Sequence, residues 1–187
     1  LQSIVNNNTD QRRMLGFIII ATLPAAFIGV LFGDSIADHF RSILSLSVAF
    51  TVTATVLLLA DWKKEKGSSH QLTWRRALLI GVAQACALVP GLSRSGFTIA
   101  AGQTVGLKRS EALDMSFLIA LPAIFGATAL TLMKAMNGTV ALPGFVVSFT
   151  GFCTSFIVSL FAILWLKKFV VRHSLGWFAV YLFMKVL

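Results

Sequence analysis

Three hydroxyl side chains and one guanidinium, Ser93, Arg94, Ser95 and Thr98, fall within a stretch bracketed by Gly91 and Gly96. These residue types at this spacing suit an anion. Arginine offers a planar, permanently charged fork that matches phosphate oxygens, and the hydroxyls add neutral donors. The two glycines allow the backbone to turn tightly and aim N–H groups into one concavity, as phosphate-binding loops do. Gln84, about one and a half turns before Pro90, is placed either to reach the same anion through a water or to tie two helices together. The expected phosphate-binding set is therefore Gln84, Gly91, Ser93, Arg94, Ser95, Gly96 and Thr98, with Arg94 carrying the charge.

The surroundings of these residues explain why the arginine calls for a function. Hydrophobic residues make up 57% of the 187-residue chain and charged residues 12%, against roughly 45–50% and 25% in soluble domains. The composition is that of an integral membrane protein, all-α and polytopic, forming a single bundle with no room for a separate soluble domain. A guanidinium at membrane depth costs at least ~2.5–3.5 kcal/mol on insertion scales, so such residues face cavities and mark substrate or ion pathways. The net charge of +9 does not point to nucleic acid, because the basic residues sit in short loops between apolar runs. Cys86 and Cys153 lie in apolar stretches and form no disulfide or metal pattern.

Apolar runs predict spans at about 16–32, 43–60, 111–133, 143–166 and 174–187, the last too short to cross comfortably. Pro24 and Pro122 fall inside two of them, and Ala25, Gly29 and Gly33 recur every fourth residue, which favours close packing of a neighbouring helix. The arms around the Pro-Gly turn, Ala77 to Val89 and Phe97 to Leu107, are each too short to cross a ~30 Å core. Residues 77–107 therefore read as a re-entrant hairpin, tolerated where its backbone is buried in protein or lines a cavity. The distribution of positive charge agrees. With a cytoplasmic N-terminus and a hairpin that enters and leaves on one side, Arg12, Arg13, Lys63, Lys64, Lys66, Arg75, Arg76, Lys108, Arg109, Lys167, Lys168 and Arg172 are cytoplasmic, Arg41, Lys134 and Lys185 lie outside, and Arg94 stays in the membrane. A single crossing would scatter the C-terminal cations onto the outer side. Lys108 and Arg109 read as topology determinants, and Glu111 and Asp114 as acidic groups favouring a helix N-terminus after Ser110.

The stretch Gln84-Ala85-Cys86-Ala87-Leu88-Val89-Pro90-Gly91-Leu92-Ser93-Arg94-Ser95-Gly96-Phe97-Thr98 closely resembles the second signature of the undecaprenyl-diphosphatase family, the bacitracin-resistance proteins. Ala21-Thr22-Leu23-Pro24-Ala25-Ala26-Phe27-Ile28-Gly29 resembles a family segment upstream of it. Ser116-Phe117-Leu118-Ile119-Ala120-Leu121-Pro122-Ala123-Ile124-Phe125-Gly126-Ala127 resembles one downstream. The resemblance implies a phosphatase of the bacterial inner membrane that hydrolyses undecaprenyl diphosphate to the monophosphate carrier and inorganic phosphate. It implies a role in peptidoglycan synthesis and bacitracin resistance, and a multi-pass protein whose site opens to the outer side. In that family two re-entrant hairpins in inverted repeats meet at one site. Residues 77–107 would be the second, and Arg94 with Ser93, Ser95 and Thr98 would match the family's phosphate-binding residues, with Arg94 as the charge-stabilising catalytic group. Expected partners are the polyprenyl diphosphate lipid and membrane lipids, with a homodimer as the candidate assembly.

The family's earlier hairpin carries two glutamates four residues apart and then a Ser-Ser-Thr-Gly-His stretch, and this sequence holds neither. Its acidic residues, Asp10, Asp34, Asp38, Asp61, Glu65, Glu111 and Asp114, include no such pair in an apolar hairpin. His39, His70 and His173 are predicted in loops, and Ser68-Ser69-His70 echoes the pattern only among lysines. The divalent cation (Mg or Ca) that the resemblance implies needs hard oxygen ligands, so its ligands are expected in a missing N-terminal part and none is assigned here. The chain is thus expected to be an N-terminally incomplete family member, inactive by itself. Two other functions fit a re-entrant arginine hairpin: a polyprenyl-phosphate flippase or transporter, and a non-catalytic membrane fragment.

Overall fold

The computed structural model describes residues 8–62, 72–172 and 174–186, and these form seven α-helices with no strand among the described residues. The helices are α1 (Asn8–His39), α2 (Ile43–Trp62), α3 (Trp74–Cys86), α4 (Arg94–Thr104), α5 (Arg109–Met136), α6 (Phe145–Arg172) and α7 (Gly176–Val186). Among the described residues, four segments are long and apolar enough to cross a membrane: Gln11–His39, Ile43–Trp62, Arg109–Met136 and Phe145–Val170. The basic loop at 63–70 with His70, and also His173, lie outside the described residues.

Helix α1 extends well beyond the apolar run at 16–32, because polar residues at both ends continue the helix without adding to an apolar count. Pro24 lies inside it, as Pro122 lies inside α5. His39 closes the last turn of α1 rather than lying in a loop, with Nδ1 2.9 Å from the carbonyl of Ser35. The small-residue spacing in α1 does bring a helix close, but one step earlier than Ala25: Ala21 packs under Gly81 of α3 and Gly29 faces Leu88, whereas Gly33 faces open space. Helix α5 begins at Arg109, so Lys108 and not Ser110 stands at the cap position, and the Lys108 N–H donates to the Glu111 carboxylate at 3.0 Å.

Ion pairs fix which helix ends lie together. Arg109 at the start of α5 donates to Asp61 at the end of α2, Lys167 near the end of α6 sits 2.6 Å from Asp114, and Lys134 near the end of α5 sits 2.6 Å from Asp34 in α1. Helices α1 and α5 are therefore parallel, with α2 and α6 antiparallel to them. One end of the bundle, the basal end, gathers the start of α5, the ends of α2 and α6 and the start of α7. Asp61 is the hub of that end: it accepts from Arg109, from the Ser174 hydroxyl and, at 3.3 Å, from the Leu175 N–H. Arg109 is thus a structural tie as well as a loop cation. Asp61→Ala removes the acceptor shared by Arg109, Ser174 and the buried Leu175 N–H and is expected to cost about 2 kcal/mol, read as a lowered thermal midpoint in detergent.

The buried core joins Ala21, Ala54, Leu57, Ile80, Ile99, Leu113 and Ile119, contributed by α1 to α5, with Val170 and Ala179 from α6 and α7. The outside is apolar too: Phe125 is 72% exposed, Val146 73% and Phe161 71%. In water such a surface would be a liability, whereas in a bilayer it is the expected lipid-facing wall.

Candidate functional site

Helices α3 and α4 pack on one another and are joined by residues 87–93. At 1.5 Å per residue they are about 20 and 17 Å long, short of a ~30 Å core. Their connecting loop meets α2 at Leu46, Ala49 and Thr53, and the first residue of α4 meets α5 at Ala120. Thr53 is about 14 Å from the end of α2, and Ala120 about 17 Å from the start of α5, by the same helical rise. Both of those helix ends are basal. The loop is consequently an apex at mid-depth of the bundle, reached by a chain that leaves and returns at the basal end.

The loop turns on Gly91, whose φ of +91° lies in the left-handed region. A Cβ there would also sit 2.8 Å from that of Ala49, so the position excludes side chains twice over. Gly96 behaves differently from the sequence expectation. It is an ordinary helical residue, because α4 already starts at Arg94 and Ser93 is its N-cap, accepting the Gly96 N–H on Oγ at 3.2 Å. The N–H cluster is accordingly a capped helix N-terminus and not a two-glycine concavity. The Ser93 hydroxyl is engaged in capping, which leaves the Arg94 and Ser95 N–H groups as the unspent donors of that turn, with the field of the α4 dipole behind them.

Arg94 is half-buried. Its guanidinium donates to the Ala120 carbonyl at 3.3 Å, and among the described residues no carboxylate pairs with it. A cation held at mid-depth with one neutral acceptor and no counter-ion is a strong anion attractor. Ser95, next to it, is exposed. Thr98 is not: it is 1% exposed, and its Oγ1 lies 2.9 Å from the Arg94 carbonyl, 3.2 Å from that of Ser95 and 2.7 Å from the Ser116 hydroxyl. The single Thr98 proton goes to a carbonyl of α4, which makes Ser116 the donor to Thr98. Thr98 therefore braces α4 against α5, since its hydroxyl is turned away from any open space. Gln84 is 2% exposed, with neither its amide nitrogen nor its oxygen hydrogen-bonded. Of the expected set, the structure brings Gly91, Ser93, Arg94 and Ser95 to the apex surface and places Gln84, Gly96 and Thr98 beneath it.

Two participants escaped sequence reading. Thr53 accepts the Ser93 N–H at 3.2 Å, and Ser116 bonds Thr98. Each is one of several hydroxyls in a largely apolar helix, a pattern that in isolation signals only a bond back to its own helix.

The donors present do not fit a divalent cation. The apex offers a guanidinium, hydroxyls and N–H groups, which favour negative charge, and among the described residues no three His, Cys, Asp or Glu side chains gather as a ligand set. No step is assigned to a metal held by these residues.

Fold and apex together define a polytopic helical membrane protein with a cationic, N–H-lined turn at mid-depth. The chain belongs to the family described as Bacitracin resistance protein BacA, which it matches over residues 1–186. It is 39% identical to the undecaprenyl-diphosphatase of Mycobacterium ulcerans (strain Agy99) over 183 residues, covering 94% of this chain and 64% of that protein. It is likewise 39% identical to that of Corynebacterium efficiens over 181 residues, covering 93% and 61%. The Mycobacterium tuberculosis (strain ATCC 25618 / H37Rv) undecaprenyl-diphosphatase is 38% identical over 183 residues, covering 94% and 63%. The chain thus spans somewhat less than two thirds of the length of these relatives.

Proposed function

We propose that this chain forms the phosphate-binding part of an enzyme that hydrolyses undecaprenyl diphosphate to undecaprenyl phosphate and inorganic phosphate. The observation that carries the proposal is Arg94, a half-buried guanidinium at mid-depth without a carboxylate partner among the described residues, in a family whose relatives bear that enzyme's name. Anhydride cleavage places negative charge on phosphoryl oxygens. Donors fixed where that charge develops lower the barrier without reorganising. Arg94 supplies the full charge, the Arg94 and Ser95 N–H groups and the α4 dipole supply partial charge, and the Ser95 hydroxyl lies within the same exposed surface. Among the described residues the apex gathers a guanidinium, hydroxyls and N–H groups and no carboxylate or imidazole, so the proposed role of these residues is to bind and neutralise the diphosphate.

The same reading places the chain in the bacterial inner membrane, with α3 and α4 as a re-entrant hairpin and the apex open to the outer side. Its supports are the basal gathering of charge and aromatics. Arg75, Arg76, Lys108, Arg109, Lys167 and Lys168 cluster at the end that also carries all four tryptophans, Trp62, Trp74, Trp165 and Trp177. Basic loops favour the cytoplasmic side, and tryptophan favours the interface. The test is phosphate release from undecaprenyl diphosphate by the intact protein in detergent with Mg²⁺, alongside transfer of labelled polyprenyl phosphate across vesicles. Hydrolysis is expected; transfer without hydrolysis would replace the phosphatase with a lipid transporter.

A further inference from the structure

Thr53 lies in the middle of α2, forty residues before the apex, on a helix that gives the apex no charged group. Its side chain is fully buried, and its one hydroxyl makes two bonds: it donates to the Ala49 carbonyl at 2.9 Å and accepts the Ser93 N–H at 3.2 Å. The first is the ordinary back-bond of a helical threonine. The second is not local, and it falls on the N-cap residue itself. On the other side of Arg94, the chain Ser116, Thr98 and the Arg94 carbonyl ties the same turn to α5. Buried hydroxyls of α2 and α5 thus hold the backbone on both sides of the guanidinium.

Packing alone would be served by valine, which has nearly the shape of threonine but no hydroxyl. With valine the Ser93 N–H loses its acceptor, and the N-cap is free to rotate. Direction matters more than strength here, because donors assist an anion only while they converge on one point. Taking the apex as the phosphate site proposed above, we infer that Thr53 is a positioning residue. It orients Ser93 so that the Arg94 guanidinium and the first N–H groups of α4 meet the same phosphate group.

Binding of inorganic pyrophosphate to the purified chain in detergent, followed by calorimetry with thermal midpoints recorded in parallel, tests this. Thr53→Val is expected to weaken binding about tenfold while the folded fraction stays unchanged. Thr53→Ser, which keeps the hydroxyl, is expected to remain within about twofold of wild type. Arg94→Ala is expected to abolish binding. If Thr53→Val does not fold, Thr53→Cys takes its place, since it fills similar space with a much weaker acceptor. A folded Val or Cys variant that binds pyrophosphate as wild type does, while Arg94→Ala does not, overturns the positioning role and leaves the phosphate site standing. A Thr53→Ser variant as weak as Thr53→Val also overturns it, since shape and not the hydroxyl would then decide. Wild type that fails to bind pyrophosphate, or binds it no better than Arg94→Ala, removes the phosphate site and the inference with it.

Discussion

Replacing Arg94 with alanine in the intact protein is expected to lower phosphate release from undecaprenyl diphosphate by about 100-fold or more, the loss seen when a preorganised charge-stabilising donor is removed from a transition state. The size follows from the position. The guanidinium is half-buried at mid-depth, and among the described residues its one acceptor is the Ala120 carbonyl at 3.3 Å and no carboxylate offsets its charge. An uncompensated cation there makes the folded protein less stable until an anion arrives. Stability and activity should accordingly move in opposite directions: Arg94→Ala is expected to leave the thermal midpoint unchanged or raised while activity collapses. Arg94→Lys keeps the charge but loses the planar fork, and is expected to fall between wild type and alanine. Assays of phosphate release and of thermal unfolding on the same preparations check both halves. Near-normal hydrolysis by a folded Arg94→Ala protein would take Arg94 out of the chemistry.

How much of this was legible in the sequence depended on the range of the interaction concerned. The all-helical membrane class, the short helices flanking 87–93 and the chemical character of Arg94 are local or compositional, and one strand of text carries them. The apolar count underestimated α1 because helix continuation past the hydrocarbon-like run is decided by polar ends, here with Asp34 tied to Lys134 a hundred residues away. Gly96 was misassigned to the turn for a related reason. Glycine signals either a left-handed backbone or a close approach, and the choice at 96 was made by Ser93 becoming an N-cap, which pulled Arg94, Ser95 and Gly96 into α4. Thr98 looked like a phosphate donor because its hydroxyl belongs to the motif, yet only the placement of Ser116 on α5 shows where that hydroxyl points. Thr53 could not be singled out at all, since it is one of several hydroxyls in α2 and its partner is a backbone N–H, which leaves no mark in sequence.

Helix α3 lies closely against α1, with Gly81 on the backbone of Ala21. A Cβ built on Gly81 would stand 2.5 Å from the Ala21 carbonyl oxygen and 2.9 Å from its Cα and carbonyl carbon. All three are backbone atoms, so no side-chain rotation can make room, and the helices would have to part. Gly81→Val is therefore expected to destabilise the protein by about 3 kcal/mol or more, at the upper end of overpacking costs. Gly81→Ala tests the sign more sharply. In an unhindered helix Gly→Ala gains about 1 kcal/mol from propensity, so a net loss at 81 measures the steric contact. Gly126 supplies the control: it lies within α5, and nothing stands within 4 Å of where its Cβ would be. Gly126→Ala is expected to be neutral or mildly stabilising, while Gly81→Ala lowers the thermal midpoint in the same detergent. Parting α1 from α3 also moves the loop beyond α3, where Leu88 faces Gly29, and with it Ser93 and the start of α4 at Arg94. Pyrophosphate affinity should therefore fall along with stability in both Gly81 variants and stay at the wild-type level in Gly126→Ala. Equal stability of the two alanine variants would mean that α1 and α3 do not meet at Gly81.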